Sequence, residues 1–369
     1  MKVPLSSPDI TSKEIEAVTA VLETRHLALG PKMVEFEEKM AALAGRNFGI
    51  AVNSGTSGLH LLVRALGIGP GDEVITTSFS FVASANCALF EGARPVFVDI
   101  DPQTLNLDPS LIGAAITPRT KAILPIHAFG QPAAMGPILA IAQKHGFKVI
   151  EDACEAIGAR YRGRPAGSFG DGSVFAFYPN KQITTGEGGV ILTDEKEIAT
   201  LCRSMRNQGR GEGGGWLDHV RLGYNYRLDE LSCALGLAQL ERLPEILARR
   251  AAVAEEYNRR LATLPGVTIP SISAEVEMSW FVYVIRLDEQ IDRDRVLELM
   301  GARGVQCRPY FNPIHLQGYY RREFGFKEGD LPITERVGRS VLALPFFTRL
   351  QGEQIAYVVE SLKEAIAAA

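Results

Sequence analysis

Segments with strand-like and helix-like patterns alternate from the start of the chain, and this alternation restricts the fold more than any other feature of the sequence. Short apolar runs that predict strands occur at residues 50–52, 73–76, 96–99, 122–126, 149–152, 174–178 and 190–193. Helical patterns lie between them, for example at 133–145 and 195–206. Such an order is typical of a mostly parallel sheet that is covered by helices, so we predict an α/β fold.

The C-terminal third of the chain predicts a second, smaller domain. A long helical segment at 229–260, with a break at Pro244, leads out of the first region, and proline and glycine residues at 265–270 mark a turn. The patterns beyond it indicate a strand at 280–287 and helices at 292–303 and 351–368. With 369 residues, of which 46% are apolar, the chain is long enough for two cores. We predict a large domain at 1–245 and a small α+β domain at 246–369.

Charge and cysteine usage restrict the compartment and the partners. The formal net charge of -4 and the lack of any Lys/Arg-rich block argue against nucleic-acid binding. The five cysteines are scattered without metal-ligand spacing, so we predict no metal site and a reducing compartment. The N-terminus lacks an apolar signal segment, and no stretch reaches the roughly 18 apolar residues of a membrane span. We therefore expect a soluble, cytoplasmic protein without nucleic-acid or membrane partners.

Two residues at the ends of predicted strands suggest the chemistry of pyridoxal 5′-phosphate (PLP). Lys181 lies in a glycine-containing connection, where a lysine amine can lose its proton and form an imine with an aldehyde. Asp152 ends a strand, where a carboxylate can keep a pyridine nitrogen protonated so that the ring accepts electrons. Taken singly, Lys181 could be an exposed turn lysine and Asp152 a helix N-cap. Both together, in combination with a phosphate site, predict PLP binding.

The predicted phosphate site lies where a short strand is followed by a helix. Gly55, Thr56 and Ser57 fall at the N-terminus of this helix, where unpaired backbone amides and the helix dipole favour an anion. An ordinary Ser/Thr cap without a ligand is the alternative. Ligands of such sheets gather outside the carboxyl ends of the strands, so we expect these residues, Asp152 and Lys181 to converge. The glycine-rich residues 209–215 predict a flexible loop, which is either a mobile lid or a connection without a function of its own.

Several motifs along the chain together resemble one known family. They are Pro4-Leu5, Gly30-Pro31, Asn53-Ser-Gly-Thr56, the run 78–86, Glu151-Asp-Ala-Cys-Glu155, the run 181–189 and Gly223-Tyr-Asn-Tyr-Arg227. In combination they are similar to the DegT/DnrJ/EryC1/StrS group of PLP-dependent nucleotide-sugar aminotransferases. The resemblance covers essentially the whole chain. It implies a fold-type I PLP-dependent transferase.

The resemblance also implies roles for residues around the cofactor ring. Lys181 matches the lysine that binds the cofactor as an imine, and Asp152 matches the partner of the pyridine nitrogen. Phe81 matches an aromatic side chain that stacks on the ring, for which a flat apolar face is well suited. Glu155 occupies the position of a Gln or Glu near the phenolic oxygen of the cofactor.

Further roles concern the cofactor phosphate. Gly55, Thr56 and Ser57 match the family's phosphate-binding residues. Asn225 resembles an asparagine that reaches the phosphate of the neighbouring subunit, which implies a homodimer with shared active sites. Ala176 is a departure, because the family commonly has a serine there whose hydroxyl contacts the phosphate. One phosphate contact, typically worth about 0.5–3 kcal/mol, is therefore missing or supplied by another group.

The implied reaction moves an amino group from glutamate to a keto group of a nucleotide-linked hexose. Tyr310, His315 and His127 are candidate substrate contacts, with a packed polar loop as the alternative for the first two. Residues 182–189 resemble members that act at C4 more than those that act at C3, so C4 is predicted and C3 stays the alternative. A branch of the family that dehydrates sugars has histidine at this position, so Lys181 argues against that activity here. A PLP-binding regulator without turnover is the remaining alternative.

Overall fold

The computed structural model describes residues 1–211, 215 and 218–369, so part of the predicted glycine-rich loop, residues 212–214, lies outside the described residues. The described helices are α1 (Ser12–Leu22), α2 (Pro31–Ala44), α3 (Gly55–Ala65), α4 (Ala83–Leu89), α5 (Pro109–Ala115), α6 (Met135–His145), α7 (Lys196–Arg206), α8 (Glu230–Glu241), α9 (Leu243–Leu261), α10 (Arg293–Ala302), α11 (Gly318–Phe324), α12 (Pro332–Ser340) and α13 (Gly352–Ala367). Within this part of the chain, no helix is both long enough and apolar enough to cross a bilayer.

Strands form one large sheet and two small ones. The strands are β1 (Phe48–Val52), β2 (Glu73–Thr77), β3 (Arg94–Val98), β4 (Thr120–Ile123), β5 (Lys148–Asp152), β6 (Arg160–Tyr161), β7 (Arg164–Pro165), β8 (Gly172–Ala176), β9 (Gly189–Thr193), β10 (Val267–Thr268), β11 (Val276–Glu277), β12 (Tyr283–Leu287) and β13 (Val341–Leu344). The large sheet has seven strands in the order β1-β9-β8-β5-β4-β2-β3. Its strands are the seven that the sequence pattern predicts, with bounds that differ by one or two residues at most ends.

The large sheet is mostly parallel, which confirms the predicted α/β fold. Neighbours among β3, β2, β4, β5 and β8 run parallel, and β9 runs antiparallel to both β8 and β1. Side chains alternate between two cores: Ile150 and Val174 pack beside α3, whereas Val149 and Phe175 pack in clusters on the opposite face. Burial on both faces explains why these strands are short runs of apolar residues.

A second core lies in the C-terminal region. The three-stranded antiparallel sheet β10-β12-β13 packs with α9, α10 and α13 around buried residues that include Tyr257 and Tyr283. Helix α9 crosses the predicted boundary at residue 245, because Ile246 packs in a core of the large sheet and Tyr257 in the second core. Val3, from the start of the chain, also packs in this second core. The proposed domain limits stay a prediction.

The predicted break in the long helix is present. Helix α8 ends at Glu241 and α9 begins at Leu243, so Pro244 occupies the first turn of α9. A proline is tolerated there because the first N–H groups of a helix have no intrahelical partner. The kink therefore follows directly from the sequence.

Candidate active site

A cavity of about 540 Å³ lies at the carboxyl edge of the large sheet, where β5 and β8 end. Its size is within the usual range for small-molecule sites. The structure brings seven of the predicted site residues into its lining: Gly55, Thr56, Phe81, Asp152, Glu155, Lys181 and Tyr310. The expected convergence of distant segments is therefore observed.

Lys181 lies in the connection from β8 to β9, and its amine points at two groups. Nζ donates a hydrogen bond of 3.3 Å to Glu155 Oε1 and lies 3.9 Å from the ring centre of Phe281. The side chain is only 13% exposed. The next residue fixes the connection, because Gln182 Nε2 donates to the backbone oxygens of Glu155 at 2.6 Å and Ser279 at 3.0 Å. Lys181 is thus not an exposed turn lysine.

Asp152 is the last residue of β5, and its carboxylate is held from two sides. Oδ2 accepts a hydrogen bond of 2.8 Å from the Ser84 hydroxyl, and Oδ1 accepts one of 3.2 Å from the Cys154 N–H. The residue is 6% exposed. No helix begins directly after it, since the next element of the described chain is β6, so the carboxylate does not serve as a helix cap. Sequence reasoning missed Ser84, although it lies within the motif at 78–86.

Glu155 faces the lysine amine in a buried position. Its Oε2 accepts a hydrogen bond of 2.8 Å from the Phe129 N–H, and its Oε1 accepts one from Lys181. Burial raises the pKa of this carboxyl, and the positive charge of Lys181 opposes the shift. A carboxyl with a raised pKa beside an amine can share a proton with it.

The first turn of α3 forms a narrow cradle at one end of the cavity. Ser54 caps the helix, since its Oγ accepts a hydrogen bond of 3.1 Å from the Ser57 N–H. A Cβ on Gly55 would lie 2.8 Å from the Ala176 Cβ and 3.0 Å from the Cys154 Sγ, so only glycine fits between these walls. The Ser57 hydroxyl donates to Asn53 Oδ1 at 2.7 Å and is not part of the lining. The cradle therefore presents Gly55 and Thr56 to a ligand.

His127 is placed away from the cavity. It is completely buried: Nδ1 accepts a hydrogen bond of 3.0 Å from the Ala133 N–H, and Nε2 lies 2.7 Å from Glu151 Oε1. These partners imply a neutral ring that donates from Nε2. The same carboxylate also accepts from the Phe169 N–H at 2.9 Å. His127 is therefore part of a buried hydrogen-bond network with Glu151, outside the cavity lining, and the structure does not support a contact with substrate.

His315 is also completely buried and outside the lining. Its Nδ1 lies 2.7 Å from the Ser78 hydroxyl, and its Nε2 lies 3.1 Å from Glu335 Oε1. Substrate contact would require one of these hydrogen bonds to break. Of the predicted substrate contacts, only Tyr310 lines the cavity, where burial raises the pKa of its hydroxyl.

Asn225 lies on the surface and does not line the cavity of its own chain. Its backbone oxygen is 3.5 Å from Asn53 Nδ2, next to the first turn of α3. The cavity also includes residues that sequence reasoning did not select, above all Phe281, which lies just before β12. Its position depends on how the two cores pack together.

The residues of the cavity fit PLP by their chemistry. The helix N-terminus at Gly55 suits a phosphate, the Asp152 carboxylate suits a protonated ring nitrogen, and the Lys181 amine suits an aldehyde. The Phe81 side chain is 63% exposed and lines the cavity, so a flat ring could stack on it.

Comparison with known proteins agrees with this assignment. The sequence model of the DegT/DnrJ/EryC1/StrS aminotransferase family matches residues 8–363. GDP-perosamine synthase from Caulobacter vibrioides is 41% identical over 369 residues, covering 99% of this chain and 98% of that protein.

Solved structures are similar over both cores. DesV from S. venezuelae, solved in complex with a ketimine intermediate, is 36% identical with a TM-score of 0.92, and the match covers 98% of each chain. DesI, solved in the presence of its TDP-sugar product, is 34% identical with a TM-score of 0.92, covering 100% of this chain and 94% of the other.

Proposed function

The chain belongs to the DegT/DnrJ/EryC1/StrS aminotransferase family and is a PLP-dependent sugar aminotransferase, and on this premise we propose that it transfers the amino group of glutamate to the C4 keto carbon of a nucleotide-linked hexose. The observation that carries the proposal is the shared cavity of Lys181, Asp152 and the first turn of α3. These groups come from distant segments and suit three different parts of one cofactor.

Lys181 is the proposed base of the reaction. Bound PLP supplies an aldehyde that exchanges amines and a ring that accepts electrons. Lys181 Nζ would hold the aldehyde carbon of the cofactor until a substrate amine replaces it, and it would then carry the proton from the amino-bearing carbon to that former aldehyde carbon. Glu155 Oε1, 3.3 Å from Nζ, holds the amine in the cavity and can share its proton.

Asp152 and the α3 cradle are proposed to orient the cofactor. The carboxylate, fixed by Ser84, would keep the ring nitrogen protonated through a close charge pair. The backbone N–H groups at Gly55 and Thr56 would hold the phosphate at the other end. Ala176 borders this cradle and has no side-chain donor, so the phosphate must rely on the remaining groups.

The substrate assignment draws on the relatives and on one segment of the chain. GDP-perosamine synthase is named for a GDP-linked product, and DesI was solved in the presence of its TDP-sugar product, which supports a nucleotide-linked sugar here. The C4 position is supported by the resemblance of residues 182–189 to members that act there. Tyr310, whose hydroxyl lies 3.5 Å from Asn180 Nδ2 in the cavity lining, is the proposed substrate contact.

We further propose a homodimer in which Asn225 contributes to the neighbour's phosphate site. Asn225 is exposed and its neighbours in the chain face inward, which leaves its side chain free to reach another subunit. A heterodimer of Lys181→Ala and Asn225→Ala chains would then contain one intact site, because both lesions fall in the other. Such a heterodimer should have about half of the wild-type activity.

The substrate proposal is tested by offering the PLP-loaded protein a panel of nucleotide-linked 4-keto and 3-keto hexoses with glutamate. Release of 2-oxoglutarate is measured, and the carbon that carries the new amine is identified by NMR. We expect 4-keto hexoses to react and Lys181→Ala protein to be inactive. Amination only at C3 would contradict the C4 assignment. A cofactor that glutamate does not convert to its amine form would favour the regulator alternative.

A further inference from the structure

A partly buried group of polar side chains joins α3 to the segment that carries Asn225. We call it the Glu91 cluster, and it consists of His60, Arg64, Glu91, Tyr224 and Tyr226. The Glu91 carboxylate is its centre: Oε1 lies 2.7 Å from His60 Nε2, and it accepts hydrogen bonds of 3.0 Å from Arg64 Nη1 and 3.2 Å from the Tyr224 hydroxyl. The Tyr226 hydroxyl lies 3.3 Å from His60 Nδ1. None of these contacts is needed by the cavity chemistry described above.

The two tyrosines of the cluster flank Asn225 directly. Their rings are stacked with centres 4.8 Å apart and planes 9° from parallel. The backbone is extended here: the Tyr224 N–H donates to the oxygen of Met205 and the Tyr226 N–H to that of Arg206. Successive side chains of an extended segment point to opposite faces. Fixing both tyrosines inward therefore fixes Asn225 outward.

The carboxylate of Glu91 is ionised at neutral pH. Burial acts to raise its pKa, but hydrogen bonds from His60 and Arg64 outweigh burial and lower the pKa. The Glu91 side chain is 12% exposed. Charge-assisted hydrogen bonds in such a place are stronger than neutral ones, so the cluster resists displacement more than ring stacking alone would.

We propose that the Glu91 cluster is a positioning device that holds Asn225 towards the phosphate site of a second subunit. This inference rests on the shared active site proposed above. It assigns no catalytic role to Glu91, which acts only through Tyr224, Tyr226 and the backbone of Asn225.

A competing role within the same chain must be separated from this one. His60 and Arg64 lie on α3, whose first turn is the proposed phosphate cradle. A change at Glu91 could therefore disturb the phosphate site of its own chain through α3. The two roles predict lesions in different sites of a dimer.

The test variants are Glu91→Gln and Tyr224→Phe, which remove the charge and one hydroxyl from the cluster. We expect the Kd of PLP to rise about tenfold in the Glu91→Gln homodimer, equivalent to about 1.4 kcal/mol. Tyr224→Phe, a smaller change, is expected to raise it less. The matched control is Glu73→Gln: Glu73 is also a buried carboxylate, but it accepts hydrogen bonds from Thr117 and, at 2.7 Å, from Arg119, and it begins β2 at the amino edge of the sheet, whereas the cavity lies at the carboxyl edge. This control should bind PLP as the wild type does.

The decisive experiment uses heterodimers with a Lys181→Ala chain, in which only one site retains Lys181. The site with Lys181 receives Asn225 from the Lys181→Ala chain. PLP binding to this site is measured by titrating the apoprotein and following the visible absorbance of cofactor bound to Lys181. If Glu91 positions Asn225 for the neighbour, pairing restores wild-type affinity to the Glu91→Gln chain. If Glu91 acts through α3 of its own chain, the tenfold loss stays.

A reference heterodimer of Asn225→Ala and Lys181→Ala chains shows which proposal is wrong, the positioning role of Glu91 or the shared active site. If the reference pair fails to recover PLP affinity, Asn225 does not serve a neighbour and both proposals are wrong. If it recovers and the Glu91→Gln pair does not, only the positioning role is overturned. An unchanged Kd in both homodimeric variants of the cluster would overturn it as well. Recovery in both pairs supports it.

Discussion

Replacing Gly55 with alanine tests whether the first turn of α3 is the phosphate site. In the structure a Cβ at this position would lie 2.8 Å from the Ala176 Cβ and 3.0 Å from the Cys154 Sγ. Carbon atoms in favourable contact are about 3.5–4.0 Å apart, so Gly55 and Ala176 would have to separate by about 0.7–1.2 Å. Either the first turn of α3 or the end of β8 must move. Both border the proposed phosphate site.

The expected size of the effect follows from the cost of overpacking. Forcing an extra methyl group into a packed site typically costs about 1–3 kcal/mol. If the whole cost falls on cofactor binding, the Kd of PLP rises about 5- to 150-fold, because each 1.4 kcal/mol is a factor of ten. If part of it falls on the apoprotein, the melting temperature drops and the change in Kd is smaller.

Both quantities are measured, by PLP titration and by thermal unfolding of the apoprotein. The matched control is Gly113→Ala in α5, where a new Cβ would have no heavy atom within 4 Å in the described part of the chain. This control should leave PLP binding unchanged and stabilise the helix by up to about 1 kcal/mol. Adding Ala176→Gly to Gly55→Ala removes the 2.8 Å contact and should restore part of the affinity. Wild-type PLP affinity in Gly55→Ala would refute the location of the phosphate site.

Three further predictions concern the cavity. Lys181→Ala should abolish turnover, and borohydride reduction of the wild type should leave the cofactor mass on the Lys181 peptide; a label on another lysine would move the site. Asp152→Asn removes a charge pair with the ring nitrogen that is worth about 4 kcal/mol at 4 Å and an effective dielectric of 20. The turnover rate should therefore fall about a thousandfold, with PLP binding less affected. Near-normal turnover would contradict the role of Asp152 as partner of the ring nitrogen. Folding raises the pKa of Glu155 above its ordinary value of 4.5. Ionisation of Glu155 therefore lowers the free energy of unfolding at pH values above 4.5 and has no such effect below it. Glu155→Gln should therefore stabilise the apoprotein at neutral pH by an amount that shrinks as the pH falls towards 4.5, which denaturant unfolding at several pH values will show.

The sequence predicts the parts of the site that depend on local pattern. Asp152 and the first turn of α3 could be located because a strand end and a helix start leave clear signals in apolar spacing and small residues. Phe281 and Ser84 could not, because their contacts with Lys181 and Asp152 depend on how distant elements pack. The surroundings of His127 and His315 also depend on such packing. Both were candidate substrate contacts, and the structure buries both in hydrogen bonds to carboxylates, so their contact with substrate stays a prediction.

The direction of β9 explains why the lysine connection ends beside the phosphate cradle. A parallel β9 would require a crossover of a dozen or more residues, and the chain would leave the ligand edge of the sheet. Since β9 is antiparallel to β8, the connection that carries Lys181 both starts and ends at that edge. The first residue of β9, Gly189, pairs with Val52 of β1, and a Cβ there would lie 2.8 Å from the carbonyl of Ser54. The chain after Lys181 is thereby packed against the cap of α3. The sequence predicts the strand but not its direction, because apolar runs buried on both faces have no pattern that distinguishes the two.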